Sequence, residues 1–243
     1  MNNILKRRRR SIGAVDLFSN TYSISFDGSN DFLDIGDVTI LDGLTTLTVS
    51  FWINFTSLPG TYNAARNIIM KGDGGNTNKG IAIRVHGDGG TGNGPRFGYQ
   101  VPGNLNVVNY TVTTSTWYHC VVTMASAGFN VYVNGSLRSS ADVGTGVTIA
   151  NISDKLCIGG QETTNPVNAI IDEVAIFNDT KNLSTVQDYY NSGAPTNLSN
   201  ESGLIGYWRM EEGTGTTVAD SSSNSNTATL TNSPTWSSTV PTA

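Results

Sequence analysis

Apolar and polar residues alternate with a period of two along most of the chain, the spacing of a β-strand with one buried face. The clearest unit is residues 117–135, WYHCVVTMASAGFNVYVNG. On its first arm Trp117, His119, Val121 and Thr123 share one face, and Tyr118, Cys120, Val122 and Met124 the other. Both faces are largely apolar, which predicts a strand in the middle of a sheet. On the second arm Phe129, Val131 and Val133 alternate with Asn130, Tyr132 and Asn134. Asn134-Gly135 is a tight-turn dipeptide because both residues tolerate positive φ, so a third strand should return from Ser136.

The same spacing predicts strands near 22–26, 32–35, 67–71, 80–85, 96–101, 107–113, 154–158 and 169–177. Residues 44–55 form the longest apolar-rich run and predict a central strand, with Phe51 and Trp52 on opposite faces. One short helix is expected near 184–192, where Ser184 and Gln187 form a capping box and Gly193 fits the stop. Residues 1–20 lack usable periodicity and read as an arm; residues 21–243 read as one domain. The class is all-β, a two-sheet antiparallel sandwich, which commonly occupies this length as a single domain.

Composition agrees: 27 glycines and 14% charged residues suit many short strands joined by turns. The net charge is −5, yet Lys6, Arg7, Arg8, Arg9 and Arg10 supply five positive charges in one run, so the remainder carries −10. Nucleic-acid binding by the body is thereby disfavoured, because phosphate neutralisation needs clustered basic side chains. The arm reads as a solvated terminus, as an element that docks on an acidic partner or, third, as a nucleic-acid contact. No apolar run of export-signal or membrane-span length occurs. Cys120 and Cys157 both fall on predicted strands and read as buried thiols, with a bridge between them left open.

Several strings, in order, carry a resemblance: YSISFDGSNDFLDI at 22–35, LTVSFWI at 47–53, WYH-VVT followed by VYVNG in the hairpin, LCIGG at 156–160 and IIDEVAIFN at 170–178. Together they resemble the laminin-G-like and pentraxin-like members of the concanavalin A-like lectin superfamily, over roughly residues 22–190. The resemblance implies a jelly-roll sandwich. It also implies a disulfide from the strand of Cys120, although Cys157 does not match the partner position in pentraxin-like relatives. The string at 203–236, GLIGYWRMEEGTGTTVADSSSNSNTATLTNSPTW, resembles one that precedes the FDG strand in such proteins and here follows the helix. The order is permuted, and residues 203–243 are expected either to close the same sandwich or to exchange with a neighbouring subunit.

Candidate chemistry is sparse. Asp27, Asn30 and Asp31 crowd oxygen-bearing side chains into one turn, and Asp172 and Glu173 lie on a late strand. The resemblance implies a structural calcium between that turn and the IDE strand, using Asp27, Asp31 and Asp172, and Asn30 adds a further oxygen. Calcium takes six to eight such oxygens, whereas the alternative is that these groups satisfy turn amides. Glu162 in GGQETTN resembles part of a pentraxin ligand loop, but Thr163 and Thr164 follow where a second acid usually stands. Tyr62, Tyr99 and Tyr110 lie near Asn- and Gly-rich loops and are candidate sugar-stacking rings; the alternative is ordinary packing. His119 reads as a packed strand residue. Glu211 and Glu212 are adjacent and would face opposite sides of a strand, and no glycosidase pair or nucleophile elbow is evident. The chain therefore reads as a non-catalytic binding or display module.

The strings SNTYSISFDGSNDFLDIG, GYWRMEEGTGTTVADSS and LTNSPTW resemble structural proteins of tailed phages and marine viruses, which implies a multi-copy virion-surface component docked through the arm and able to contact glycans. The alternatives are a free calcium-dependent lectin at a cell surface or in the extracellular space, and an accessory module of a glycoside hydrolase.

Overall fold

The structure, a computed structural model, describes residues 18–60, 64–72, 80–87, 95–101, 104–125, 128–141, 148–161 and 165–243; within strands, residues 99–101, 104–107, 109 and 139–141 are described by their backbone alone. The first half of the chain forms β1 (Ser23–Asp27), β2 (Phe32–Asp34), β3 (Leu47–Phe55), β4 (Ala65–Lys71), β5 (Ile81–His86), β6 (Arg96–Val101) and β7 (Asn104–Thr111). The second half forms β8 (Trp117–Ala125), β9 (Gly128–Val133), β10 (Ser136–Ala141), β11 (Leu156–Ile158), β12 (Asn168–Phe177) and the helix α1 (Leu183–Tyr190). It ends in β13 (Leu204–Trp208), β14 (Thr217–Val218), β15 (Ala228–Thr231) and β16 (Thr235–Ser237).

One sheet runs β10-β9-β8-β3-β12-β1-β16, with β13 also paired to β12, and the other runs β14-β15-β2-β11-β4-β5-β6-β7. Neighbouring strands are antiparallel throughout the described ladders, as in the pairs of β3 with β8 and of β4 with β5. The core lies between the sheets, where Phe26, Phe51, Phe55 and Val122 meet Leu33, Ile69, Ile83 and Phe97. Burying one such side chain is worth roughly 1.5–3 kcal/mol, so the facing sheets supply the main driving force.

The apolar second face of β8 is explained by α1. Val186 packs on Val121 and Tyr132 on the outside of the first sheet, and Tyr189 stacks 5.8 Å from Phe177. His119 sits on that same face, its Nε2 2.9 Å from Ser50 Oγ and its ring 4.9 Å from Trp52 and 6.1 Å from Tyr190. The helix start differs from the expected capping box. Asn182 is the N-cap, its Oδ1 accepting from Thr185 N at 3.0 Å, and Ser184 lies within the first turn. Asn191, at φ 42°, ends the helix before Gly193 is reached.

Cys120 and Cys157 are buried thiols, not bridged to each other, and they serve different layers. Cys120 lies in the core between the sheets, whereas Cys157 packs with Phe32, Met70 and Ala82 in a separate cluster. Burial in apolar surroundings raises the Cys120 thiol well above its ordinary value.

Residues 203–243 enter both sheets. Trp208 of β13 pairs with Val174, Trp236 of β16 with Ile24, and Leu230 of β15 with Leu33. Trp208 is fully buried and its indole N–H donates to the Asn226 carbonyl at 2.7 Å. Replacing Trp208 with Ala should therefore cost about 3–5 kcal/mol of the whole unfolding transition, read by urea melts followed at the sheet signal. A loss below about 1 kcal/mol would mean that the tail folds apart from the sandwich.

Candidate functional site

Four segments converge beside the β1–β2 turn. Asp27 ends β1 and is the Cα partner of Asn168 at the start of β12. The Asn168 carbonyl accepts from the backbone N–H of Thr56 at 3.0 Å and of Ser57 at 3.2 Å, fastening the chain that leaves β3 to the same point. Gly28, at φ 77°, has no Cβ; one placed there would lie 2.7 Å from the Asn168 Cβ, so only glycine permits this close approach. Arg66 completes the group from β4, its Nη1 3.5 Å from Asn165 Oδ1. Between them lies a polar cleft of about 160 Å³ lined by Asp27, Ser57, Pro59, Arg66 and Asn168. That volume is below the usual range for whole drug-sized ligands, so the cleft suits the edge of one ring bearing several hydroxyls rather than an enclosed molecule.

The neighbouring face of the second sheet is basic. His86 is the Cα partner of both Ala65 and Arg96, and Arg84 Nε donates to Asn67 Oδ1 at 2.7 Å. His86 Nε2 and Arg96 Nε are buried and make no hydrogen bond. Burial first, and then the charges of Arg84 and Arg96, push the His86 pKa down to about 4. Arg84 and His86 lie on β5, the strand next to that of Arg66, and Arg96 lies on β6 beyond it.

The residues singled out in the sequence do not form a single site. Asp27 and Asp31 are together, but they serve the turn: Asp27 Oδ1 accepts from Ser29 N at 2.7 Å, and Asp31 Oδ2 from Asp27 N at 3.2 Å. Asn30 is exposed, and its carbonyl accepts from Asn232 Nδ2. Asp172 lies four residues along β12 from Asn168, about 13 Å from the Asp27 position at the ordinary strand rise. The calcium set implied by the family, Asp27, Asp31 and Asp172, is thus divided between the β1–β2 turn, beside the start of β12, and the middle of β12. Tyr110 is half-buried, with the Arg138 Cζ 4.6 Å over its ring and Tyr118 edge-on at 6.2 Å, so one ring face is already covered. Tyr99 lies on β6 opposite Ile83. Tyr62, Glu162 and Lys6 to Arg10 lie outside the described residues.

Asp172 has different company from that expected. Its Oδ2 accepts from Asn20 Nδ2 at 3.0 Å and its Oδ1 from Glu173 N at 2.9 Å. Glu173 accepts from the Tyr207 hydroxyl, and its Oε1 lies 3.5 Å from Arg209 Nε. Glu211 accepts from the backbone N–H of Thr21 and Tyr22. Asp172, Glu173 and Glu211 offer carboxylate oxygens within 4.8 Å of one another. Burial, reinforced by the Glu173 charge, holds the Asp172 carboxyl well above the usual range; burial also raises Glu173, to about 8, against the opposing pull of Tyr207 and Arg209. Arg66, Asn168 and Asn20 were not singled out in the sequence because each is an ordinary polar residue at or just before a strand, and Glu211 was weighed only as one of an adjacent pair of acids. The signal available was the pair of acids inside the apolar run IIDEVAIF, since buried charges require partners.

The model of the concanavalin A-like lectin/glucanases superfamily matches residues 27–187. Among solved structures, the chain is similar to a Bacteroides ovatus protein with an inferred carbohydrate-binding role, at 18% identity and TM-score 0.67, covering 93% of this chain and 62% of that one. The chain thus spans less than two thirds of that protein's length. It is also similar to a heptameric SAP-like pentraxin from Limulus polyphemus, at 17% identity and TM-score 0.55, over 70% of this chain and 82% of that one. A third similar structure is the CBM40 of a Ruminococcus gnavus sialidase bound to α2,3-sialyllactose, at 15% identity and TM-score 0.53, over 71% of this chain and all of the other. No curated protein sequence matches the chain.

His119 allows a pH test of the packing under α1. Burial lowers its pKa to about 3, so the unfolded chain, with the ordinary value near 6.5, binds the proton first. The stability it contributes is complete above about pH 6.5 and is lost as pH falls from there toward the folded value. The stability difference between the wild type and His119→Gln should shrink by about 1.4 kcal/mol per pH unit below pH 6.5, read by denaturant melts. A difference constant from pH 7 to pH 4 would show that the imidazole is not held neutral.

Proposed function

The chain belongs to the concanavalin A-like lectin/glucanase superfamily, and from that premise we propose that it is a non-catalytic carbohydrate-binding module whose ligand enters the cleft beside the β1–β2 turn. The observation that carries this reading is the convergence of Asp27, Ser57, Arg66 and Asn168 on one small polar cleft. Carboxylate, hydroxyl, guanidinium and amide groups match the paired donors and acceptors of sugar hydroxyls. The carbohydrate-related names of the Bacteroides and Ruminococcus structures support it. A glycosidase needs two carboxylates facing one bond, and among the described lining residues Asp27 is the one acid, which favours binding over hydrolysis.

The setting we propose is a virion surface, with the module displayed in many copies. Its support is the run of strings resembling viral structural proteins, together with the basic arm Lys6, Arg7, Arg8, Arg9 and Arg10 as a docking element. Co-purification with particles, lost when these five residues become Ala, is the expected result; free protein with an unaltered arm would favour the lectin alternative.

Glycan-array retention tests the ligand site. A hydrogen bond to a charged group is worth about 1.5–3 kcal/mol, so Arg66→Ala should weaken binding of the retained glycan by roughly tenfold or more. Asn168→Ala should also reduce it. Retention unchanged in both variants, with the fold intact, would remove the cleft from the account.

A further inference from the structure

β4 ends in a lysine that stands on the core side of its sheet. Lys71 is the Cα partner of Leu156 and of Ile81, both members of the core between the sheets, and its own side chain is fully buried. The segment 36–43 meets its far end. That segment is fastened at both sides, the Gly36 carbonyl accepting from Leu156 N and Gly43 N donating to the Ile149 carbonyl, each at 2.8 Å. It buries Val38 and Leu41 in the same core, and Asp37 and Asp42 bracket those two apolar residues. Both carboxyls thereby come to the ammonium: Lys71 Nζ donates to Asp37 Oδ1 at 2.5 Å and lies 3.6 Å from Asp42 Oδ1. Its other two protons go to the carbonyls of Ile152 and Asp154, each at 3.1 Å.

We propose that Lys71 and Asp37 join in an intramolecular amide, with Asp42 carrying the proton, so that a covalent cross-link closes this corner of the sandwich. The three N–H bonds of the ammonium set the geometry. Two are held by carbonyls, so the third, once its proton passes to Asp37 along their hydrogen bond, leaves a lone pair directed at the carboxyl. That pair adds to Asp37 Cγ and forms the C–N bond. Asp42 takes a proton from the nitrogen and returns it to the departing hydroxyl; the C–O bond breaks with its electron pair, and one water leaves. Ammonium and carboxylate give amide and water, with Asp42 unchanged and no further reactant. Asp42 Oδ1 is buried and accepts no hydrogen bond, a costly state for a carboxylate oxygen, and it is placed to receive the amine's proton. Anchored backbones hold the two reacting groups together, which offsets the unfavourable loss of water in solution. The neutral amide also removes a desolvated ion pair. Lys155 and Asp34 are equally close at 2.5 Å, but the Lys155 side chain is 49% exposed and water competes for it.

Intact mass spectrometry of the full chain under denaturing conditions provides the test. Most of the wild type should weigh one water less than its sequence, and protease digestion should release a branched peptide joining the segments that carry Asp37 and Lys71. Lys71→Arg keeps a cation but cannot form this amide, so the full mass should return. Lys155→Arg should keep the loss. Asp42→Asn preserves the side-chain size without the proton acceptor and should leave most chains at full mass, because losing an acid–base group costs about a hundredfold or more in rate. A wild type at its full sequence mass, a water loss that survives Lys71→Arg, or joining unaffected by Asp42→Asn would overturn the assignment. The wild-type mass and its branched peptide need no variant, so they decide the matter even where a substitution prevents folding. Neither readout involves a glycan, so the result is independent of the binding cleft.

Discussion

The structure depends on the pairing of β12. On one edge β3 runs beside it from Ala169 to Phe177, and on the other β1 and then β13 take turns. One strand thus joins the start of the domain, the central hairpin through β3 and β8, and the returning tail. Its own residues from Val174 to Phe177 are buried throughout, as expected of a strand covered by the second sheet on one face and by α1 and its following segment on the other. Loss of any of the three partners would expose backbone groups that the apolar surroundings cannot satisfy.

The same strand relates the two polar regions. Asn168, at its beginning, anchors the cleft by holding the chain after β3, while Asp172 and Glu173 lie further along at the change of partner. Binding groups placed on paired strands are fixed before a ligand arrives, which lowers the ordering cost of association. Weak polar contacts with a sugar need that advantage, because each competes with water. Arg84, His86 and Arg96 form a separate, mostly buried polar group, on the residue parity of β5 opposite to that of Val85, the strand partner of Arg66.

The strands were legible where the period of two was long. The hairpin β8–β9 and the central position of β3 follow from patterns such as LTVSFWINF and WYHCVVTMA, whose two apolar faces imply cover on both sides. The helix was legible, but its cap was displaced: Asn182 precedes the leucine that begins the helix, and a Ser-x-x-Gln string starting two residues later imitated a capping box. The polar sites were harder to read. Asp27 and Asp31 look like metal ligands in sequence, yet the turn's own amides use them. Asp172 was singled out as a candidate ligand on a late strand, but its neighbours Asn20 and Glu211 were not placed beside it, because they stand more than 150 and nearly 40 residues away and a positive φ at Glu173 breaks the alternation that strand reading assumes.

Native-state hydrogen exchange measures most directly whether β12 binds both ends into one cooperative unit. The amides of β12, β1 and β13 should then exchange through a common global opening, with one free energy and one denaturant dependence. Protection in β13 and β16 that is lost at far lower denaturant than in β3 and β12 would contradict the account, since it would show a tail that opens while the sandwich stays closed.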